Sequence, residues 1–205
     1  MPKPSKIICA GLNYKDHAKE MGLPIPASPV IFLKPPTTLI CDGESIIYPT
    51  KFTKELHYEA ELAVVIAKDL YKVSEKEAKA GILGYTCAND VTARDLQKID
   101  GQWTRAKSFN TFCPVSSKIV KDIDVSDLAI KLYLNGEIKQ DSRTSQMIFS
   151  PAFIISFVSQ IMPIFAGDIV ITGTPPGIGP MNIGDEVVVE IEGIGRLVNR
   201  VIADE

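Results

Sequence analysis

Apolar and polar positions along this chain fall into many short runs and few long ones. Lys6 to Leu12, Val30 to Lys34, Ser45 to Tyr48 and Asp168 to Thr172 are apolar or β-branched and predict strands. A longer run begins at His57 and ends in Ala63-Val64-Val65-Ile66-Ala67, and another spans Gly84 to Val91. Ala129 to Leu134 and Glu137 to Gln140 flank Asn135-Gly136, which predicts a hairpin. Glu186 to Ile191 and Arg196 to Ile202 predict two closing strands. Helical spacing is rarer. Tyr14 to Met21 predicts a short helix capped by Asn13 and ended by Gly22 and Pro24, with Tyr14, Ala18 and Met21 as its apolar side. Ser74 and Glu77 form a capping box for Glu75 to Ala80. Ala93 to Gln97 reads as a short helix, and an apolar helix over Ala152 to Ile161 starts at Ser150 or Pro151. Pro24 to Pro29 is a loop, and Trp103 to Pro114 reads as irregular. Strands outnumber helices, so the expected class is α+β, mostly β, with one core and one domain over residues 1–205.

Side chains alternate faces along a strand, so His57, Glu59 and Glu61 share one face and Tyr58, Ala60 and Leu62 the other. Two carboxylates stacked on one face repel unless the face is wet or a cation lies between them. The strand runs into a stretch with buried character, which weakens the wet-face explanation. Asp90 ends the Gly84 strand, where side chains often reach a site at the sheet rim. Glu59, Glu61 and Asp90 are therefore either a hard-cation site suited to Mg²⁺ or Mn²⁺, or three unrelated polar residues at sheet edges. His57 is open between a ligand, a donor to the glutamates and a structural group.

His17 and Glu20 are three apart on a helix, where a carboxylate can orient an imidazole and raise its basicity. A solvated helix face is the simpler reading of the same pair. The helix, with its Gly- and Pro-rich flanks, also suits a lid over a site. Lys107, between Ala106 and Phe109, and Lys34, ending an apolar strand, would each want an anion if buried. The loop Gly173 to Gly179 lacks the lysine and spacing of a phosphate-binding loop. Its backbone N–H groups could cradle a carboxylate, with Thr174 as a further donor, or it is a tight turn between strands.

Composition removes several classes. Hydrophobic residues at 45% and charged residues at 23% of 205 are globular values, and the chain is long enough to bury a core without disulfides. The net charge of −3 comes without a basic stripe, so nucleic acid is not an expected partner. No apolar stretch is long enough to span a bilayer, and the first residues lack an extended hydrophobic signal region. Cys9, Cys41, Cys87 and Cys113 stand singly among apolar neighbours, as expected of reduced, buried thiols in a cytoplasmic protein. With only His17 and His57, a His-rich metal site is excluded.

Taken in order, Gly11-Leu12-Asn13-Tyr14-Lys15-Asp16-His17, Phe32-Leu33-Lys34-Pro35, His57-Tyr58-Glu59-Ala60-Glu61-Leu62, Asn89-Asp90-Val91-Thr92-Ala93-Arg94-Asp95, Ala106-Lys107-Ser108-Phe109 and Gly167 to Pro175 are spread along most of the chain, from Gly11 to Pro175. This set resembles the fumarylacetoacetate hydrolase superfamily, in the compact branch without the extra N-terminal domain. The resemblance is nearest to its acylpyruvate hydrolases and oxaloacetate decarboxylases. It implies a mixed β-roll or sandwich with short peripheral helices, usually dimeric. It implies Glu59, Glu61 and Asp90 as ligands of Mg²⁺ or Mn²⁺, Lys107 as the active-site lysine, and His17 with Glu20 as a catalytic dyad on a mobile lid over residues 13–29. Lys34, Arg94, Gln97, Gly173 and Thr174 fall in segments that bind substrate in relatives. The implied reaction is cleavage of a C–C bond in a small 2-oxo acid. Two alternatives remain at this stage: an isomerase, decarboxylase or related hydratase acting on 2-hydroxyhepta-2,4-diene-1,7-dioate in aromatic catabolism, and a catalytically silent binding protein of the same fold.

Overall fold

The computed structural model describes residues 4–204. Two five-stranded sheets dominate it. The first runs Val30–Lys34, Ile7–Gly11, Ile169–Ile171, Ala60–Ile66, Ile82–Asn89. Ile7–Gly11 and Ile169–Ile171 are parallel, and the other neighbours are antiparallel. The second runs Glu137–Arg143, Ala129–Leu134, Glu186–Ile191, Gly195–Ala203, Ser45–Tyr48, and only its last pair is parallel. Leu56–Tyr58 forms a small sheet with Gly179–Pro180 and Thr92–Ala93. Helices are few, and the longest, Pro151–Ile161, has 11 residues. The mostly-β expectation therefore holds, and among the described residues no helix is long and apolar enough to cross a membrane.

Local chemistry explains the elements the chain announces. Asn135 (φ 53°) and Gly136 (φ 82°) both adopt the left-handed conformation that a two-residue hairpin turn requires. Ser74 and Glu77 form the expected reciprocal capping box. Ser150 Oγ accepts from the Phe153 N–H at 3.1 Å, with Pro151 in the first turn.

Packing follows the strand alternation. Tyr58, Ala60 and Leu62 join one apolar cluster with Ile130, Leu132, Val187, Val189, Leu197 and Val201 of the second sheet. Ile8, Val64, Ile66 and Val170 of the first sheet pack against Ile154, Ile155 and Val158 of the long helix. Full burial of a Leu, Ile or Val side chain contributes roughly 1.5–3 kcal/mol, so these clusters fix the sheets that carry the site.

Five expectations need correction. The strand through His57–Ala67 is broken at Glu59, because Leu56–Tyr58 pairs in the small sheet and Ala60–Ile66 in the large one. Asn13 does not cap the first helix, Lys15–Glu20. Tyr14 occupies the cap position without a side-chain bond, while the Asn13 amide is taken up by Thr172 and Phe149. On that helix Tyr14 and Ala18 are buried, but Met21 is exposed, since it stands at the rim of a cavity. The irregular Trp103–Pro114 stretch contains a helical turn, Thr104–Lys107, and a two-residue strand, Cys113–Pro114. Of the cysteines, Cys9, Cys87 and Cys113 are buried and Cys41 is partly exposed; all four are free.

Candidate metal centre

The break at Glu59 builds the site. Its N–H donates to Asn89 Oδ1 at 2.9 Å, and its carbonyl accepts from the Asp90 N–H at 2.9 Å. These two bonds draw Glu59 out of the sheet register and set it beside Asp90. Glu61, two residues on, lies within the sheet. One oxygen from each of Glu59, Glu61 and Asp90 falls within 4.8 Å of the others, and all three residues are buried.

Cations reach two of these carboxylates. Lys107 Nζ donates to Glu59 Oε2 at 3.1 Å and Asp90 Oδ2 at 2.6 Å. Lys34 Nζ, fully buried, donates to the other Asp90 oxygen and to the Val91 carbonyl at 3.1 Å. Arg94 donates to Glu59 Oε1 and to the Gln97 amide oxygen. Burial alone would raise the Glu59 pKa, but Lys107 and Arg94 outweigh it and hold it at about 2. Burial also opposes the Lys107 charge, yet Asp90 and Glu59 raise its pKa, so it is an ammonium. Among the described residues no cation contacts Glu61 directly: burial, then Asp90 and Glu59, push its pKa well above the usual carboxylate range, against a smaller lowering by Lys107. Among the described residues its one hydrogen bond comes from the Gly173 N–H. A buried trio of hard oxygen donors with one member short of positive charge fits a divalent cation such as Mg²⁺ or Mn²⁺.

The first helix and the glycine-rich loop meet nearby. His17 Nδ1 lies 2.9 Å from Glu20 Oε2, and Glu20 Oε1 accepts from the Gly177 N–H at 3.0 Å. The loop therefore does cradle carboxylates, but they are the protein's own Glu61 and Glu20. Thr174 Oγ1 accepts a hydrogen bond from Gln140 Nε2 at 2.9 Å.

A cavity of about 310 Å³ brings together His17, Glu59, Glu61, Asp90, Arg94, Gln97, Lys107 and Thr174. Lys34, Gly173 and Glu20 stand outside its wall, behind Asp90, Glu61 and His17 respectively. His57 is apart from the carboxylate trio. It faces Arg94, and burial followed by the guanidinium lowers its pKa to about 4, so it is neutral. Sequence reading missed the apolar wall, where Phe32 and Trp103 meet edge to face at 5.2 Å and Leu12, Met21, Leu23 and Ile178 complete the lining. The single tryptophan of the chain was the available signal. It also missed the burial of two amides, Asn13 and Gln140, neither of which lines this cavity.

The family model described as fumarylacetoacetate (FAA) hydrolase C-terminal matches residues 6–202. The chain belongs to the fumarylacetoacetate hydrolase family. It is 45% identical over 194 residues to the bovine mitochondrial oxaloacetate tautomerase FAHD1, covering 92% of this chain and 87% of that protein. Among solved structures, it is similar to a 2-hydroxyhepta-2,4-diene-1,7-dioate isomerase from Mycobacterium marinum, with a TM-score of 0.91, 46% identity, and coverage of 98% and 76% of the two chains. It is also similar to fumarylpyruvate hydrolase from Pseudomonas aeruginosa, solved in complex with Mn²⁺ and pyruvate, with a TM-score of 0.87, 30% identity, and coverage of 97% and 90%. Members of this family are enzymes, with tautomerase, isomerase and hydrolase relatives.

Proposed function

We propose that this chain is a divalent-metal-dependent enzyme acting on small 2-oxo acids that carry a second carbonyl or carboxylate, with oxaloacetate as the first substrate to test. The observation that carries this reading is the trio of buried carboxylates sharing one cavity with His17. Mg²⁺ or Mn²⁺ held by Glu59, Glu61 and Asp90 would supply Lewis-acid charge to the 1-carboxylate and 2-oxo oxygens.

The chain's own groups do the rest. Lys107 adds positive charge where an enolate oxygen develops. With Nδ1 engaged by Glu20, His17 has Nε2 left for proton exchange. In tautomerisation, His17 removes a proton from the carbon next to the 2-oxo group, and the enolate oxygen takes up a proton from the resulting imidazolium or from water. Arg94, Gln97 and Thr174 would receive the distal carboxylate. The same groups serve C–C cleavage. A water deprotonated by His17 attacks the distal carbonyl of an acylpyruvate, the C–C bond breaks, and the pyruvate enolate takes a proton at carbon. In oxaloacetate decarboxylation no attacking water is needed. Residues 13–29 act as a lid in this reading, since Met21 and Leu23 line the cavity while half-exposed.

The similarity to the mycobacterial isomerase favours a second reading, in which a longer dienedioate is the substrate and the same groups move its proton.

The test follows the enol and keto ultraviolet absorbance of oxaloacetate, acetylpyruvate and a 2-hydroxyhepta-2,4-dienedioate, with Mn²⁺ or Mg²⁺ and then with EDTA. A metal-dependent change above the uncatalysed rate supports the reading, and the fastest substrate selects the reaction. No metal-dependent change with any of the three refutes it.

A further inference from the structure

Strand Glu137–Arg143 is the edge of the second sheet, and Gln140 is its one fully buried residue, at 1% exposure. An edge strand would ordinarily bury an apolar side chain there. This amide instead reaches the first sheet at its break. Gln140 Oε1 accepts from the Ala60 N–H at 2.8 Å, and Ala60 is the residue between Glu59 and Glu61. Gln140 Nε2 donates to Thr174 Oγ1 at 2.9 Å and to the Pro175 carbonyl at 2.8 Å. One buried side chain thus spans the backbone joining two carboxylates of the metal centre and the loop that carries Thr174.

Its strand also reaches the His17 helix. Ser142, on the same face of the strand, donates through Oγ to Asp16 Oδ2 at 2.5 Å, on the helix of His17 and Glu20. The loop fixed by Gln140 continues to Gly177, whose N–H holds Glu20. Buried amides with satisfied donors and acceptors rigidify what they join, and groups that orient ligands set the strength of a metal site.

We propose that Gln140 is a positioning residue: it sets the Glu59–Glu61 spacing through Ala60 and the placement of Thr174 through its own amide. The proposal rests on the metal-dependent reading above and deepens it. Gln140 is neither one of the three carboxylates nor part of the cavity lining.

The experiment uses the full chain and Mn²⁺ alone, with free Mn²⁺ read by electron paramagnetic resonance and folding by thermal unfolding of the metal-free protein. Gln140→Met keeps length and removes both ends of the clamp. Mn²⁺ affinity should fall about 10–100-fold, the range for loss of a ligand-orienting partner. Thr174→Val leaves the Ala60 bond in place, so it should raise KM while Mn²⁺ affinity stays within about twofold of wild type. Should the methionine variant not fold, Gln140→Asn, one methylene shorter, is held to the same affinity criterion. A folded Gln140 variant that binds Mn²⁺ as wild type does, whatever its unfolding midpoint, overturns the assignment. A wild-type protein that binds no Mn²⁺ overturns the metal-dependent reading and the assignment with it. These two failures are distinct.

Discussion

The Asn13 side chain donates to the Thr172 carbonyl at 2.7 Å, joining positions 159 residues apart. Its amide also donates to the Phe149 carbonyl at 3.0 Å and accepts from the Phe149 N–H at 2.8 Å. Asn13 thus roots the His17 helix to the end of a central strand, immediately after Leu12, which is held at φ 48°. A buried polar group left without a partner costs about 1–3 kcal/mol, and Asn13→Ala strands three of them. The expected loss exceeds about 2 kcal/mol. Urea unfolding with an unchanged midpoint would contradict this account of the root.

Under the proposed function, His17 would separate hydrolysis from decarboxylation. Hydrolysis of an acylpyruvate needs a base for its attacking water, while decarboxylation of oxaloacetate does not. General acid–base assistance is worth about 10²–10⁴-fold, so His17→Ala should lower hydrolysis by that range and spare decarboxylation more. Initial rates on acetylpyruvate and oxaloacetate, at saturating Mn²⁺, make the comparison. Equal losses on both substrates would rule out the division.

Asp168 supplies a pH dependence of folding away from the cavity. Burial would raise its pKa, but bonds from Lys6 Nζ, the Phe165 N–H, Ser5 and the Lys6 N–H outweigh that and lower it. A carboxyl depressed in the folded state stabilises fully above its unfolded pKa, near 4, and loses that contribution as pH falls through the folded value. Asp168→Asn sets an NH₂ group against donors. It should cost about 1.5–3 kcal/mol at pH 7, the scale of a hydrogen bond to a charged group. The gap to wild type should narrow only below about pH 4. Thermal unfolding across pH 3–8 with a constant gap would refute the assignment.

What the chain revealed of itself was local. The Ser74–Glu77 box and the Asn135-Gly136 turn act over two to three residues, and both stand as expected. The pairing of Glu59 with Glu61 follows from strand alternation, and His17 with Glu20 from helical spacing; both pairs meet in the structure. The break at Glu59 was not legible, because apolar alternation runs through it and the bonds that impose it come from Asn89 and Asp90. Asn13 looked like a helix cap because its competing partners, Phe149 and Thr172, lie far along the chain. Gln140 ends a predicted hairpin strand, and nothing nearby in sequence marks it as buried.

Gly173 links backbone conformation to the candidate metal centre. It sits at φ 96°, and its N–H is the one hydrogen-bond donor to the Glu61 carboxylate among the described residues. A Cβ there would stand 2.7 Å from the Asn13 Cβ and 3.1 Å from the Ala10 carbonyl oxygen, neither of which can swing away. Gly173→Ala must therefore shift the turn and with it the N–H that aims Glu61. Gly184 provides the control, because it has nearly the same φ, 95°, with nothing within 4 Å of a built Cβ. Gly184→Ala carries the left-handed backbone cost alone, about 1–2 kcal/mol of stability. It should leave Mn²⁺ affinity unchanged. Gly173→Ala should lose stability and also weaken Mn²⁺ binding by about tenfold or more, as expected when a ligand's supporting bond is lost. Titration of both folded variants with Mn²⁺ decides the matter. Equal affinities would mean that the Gly173 N–H does not orient Glu61 for the metal.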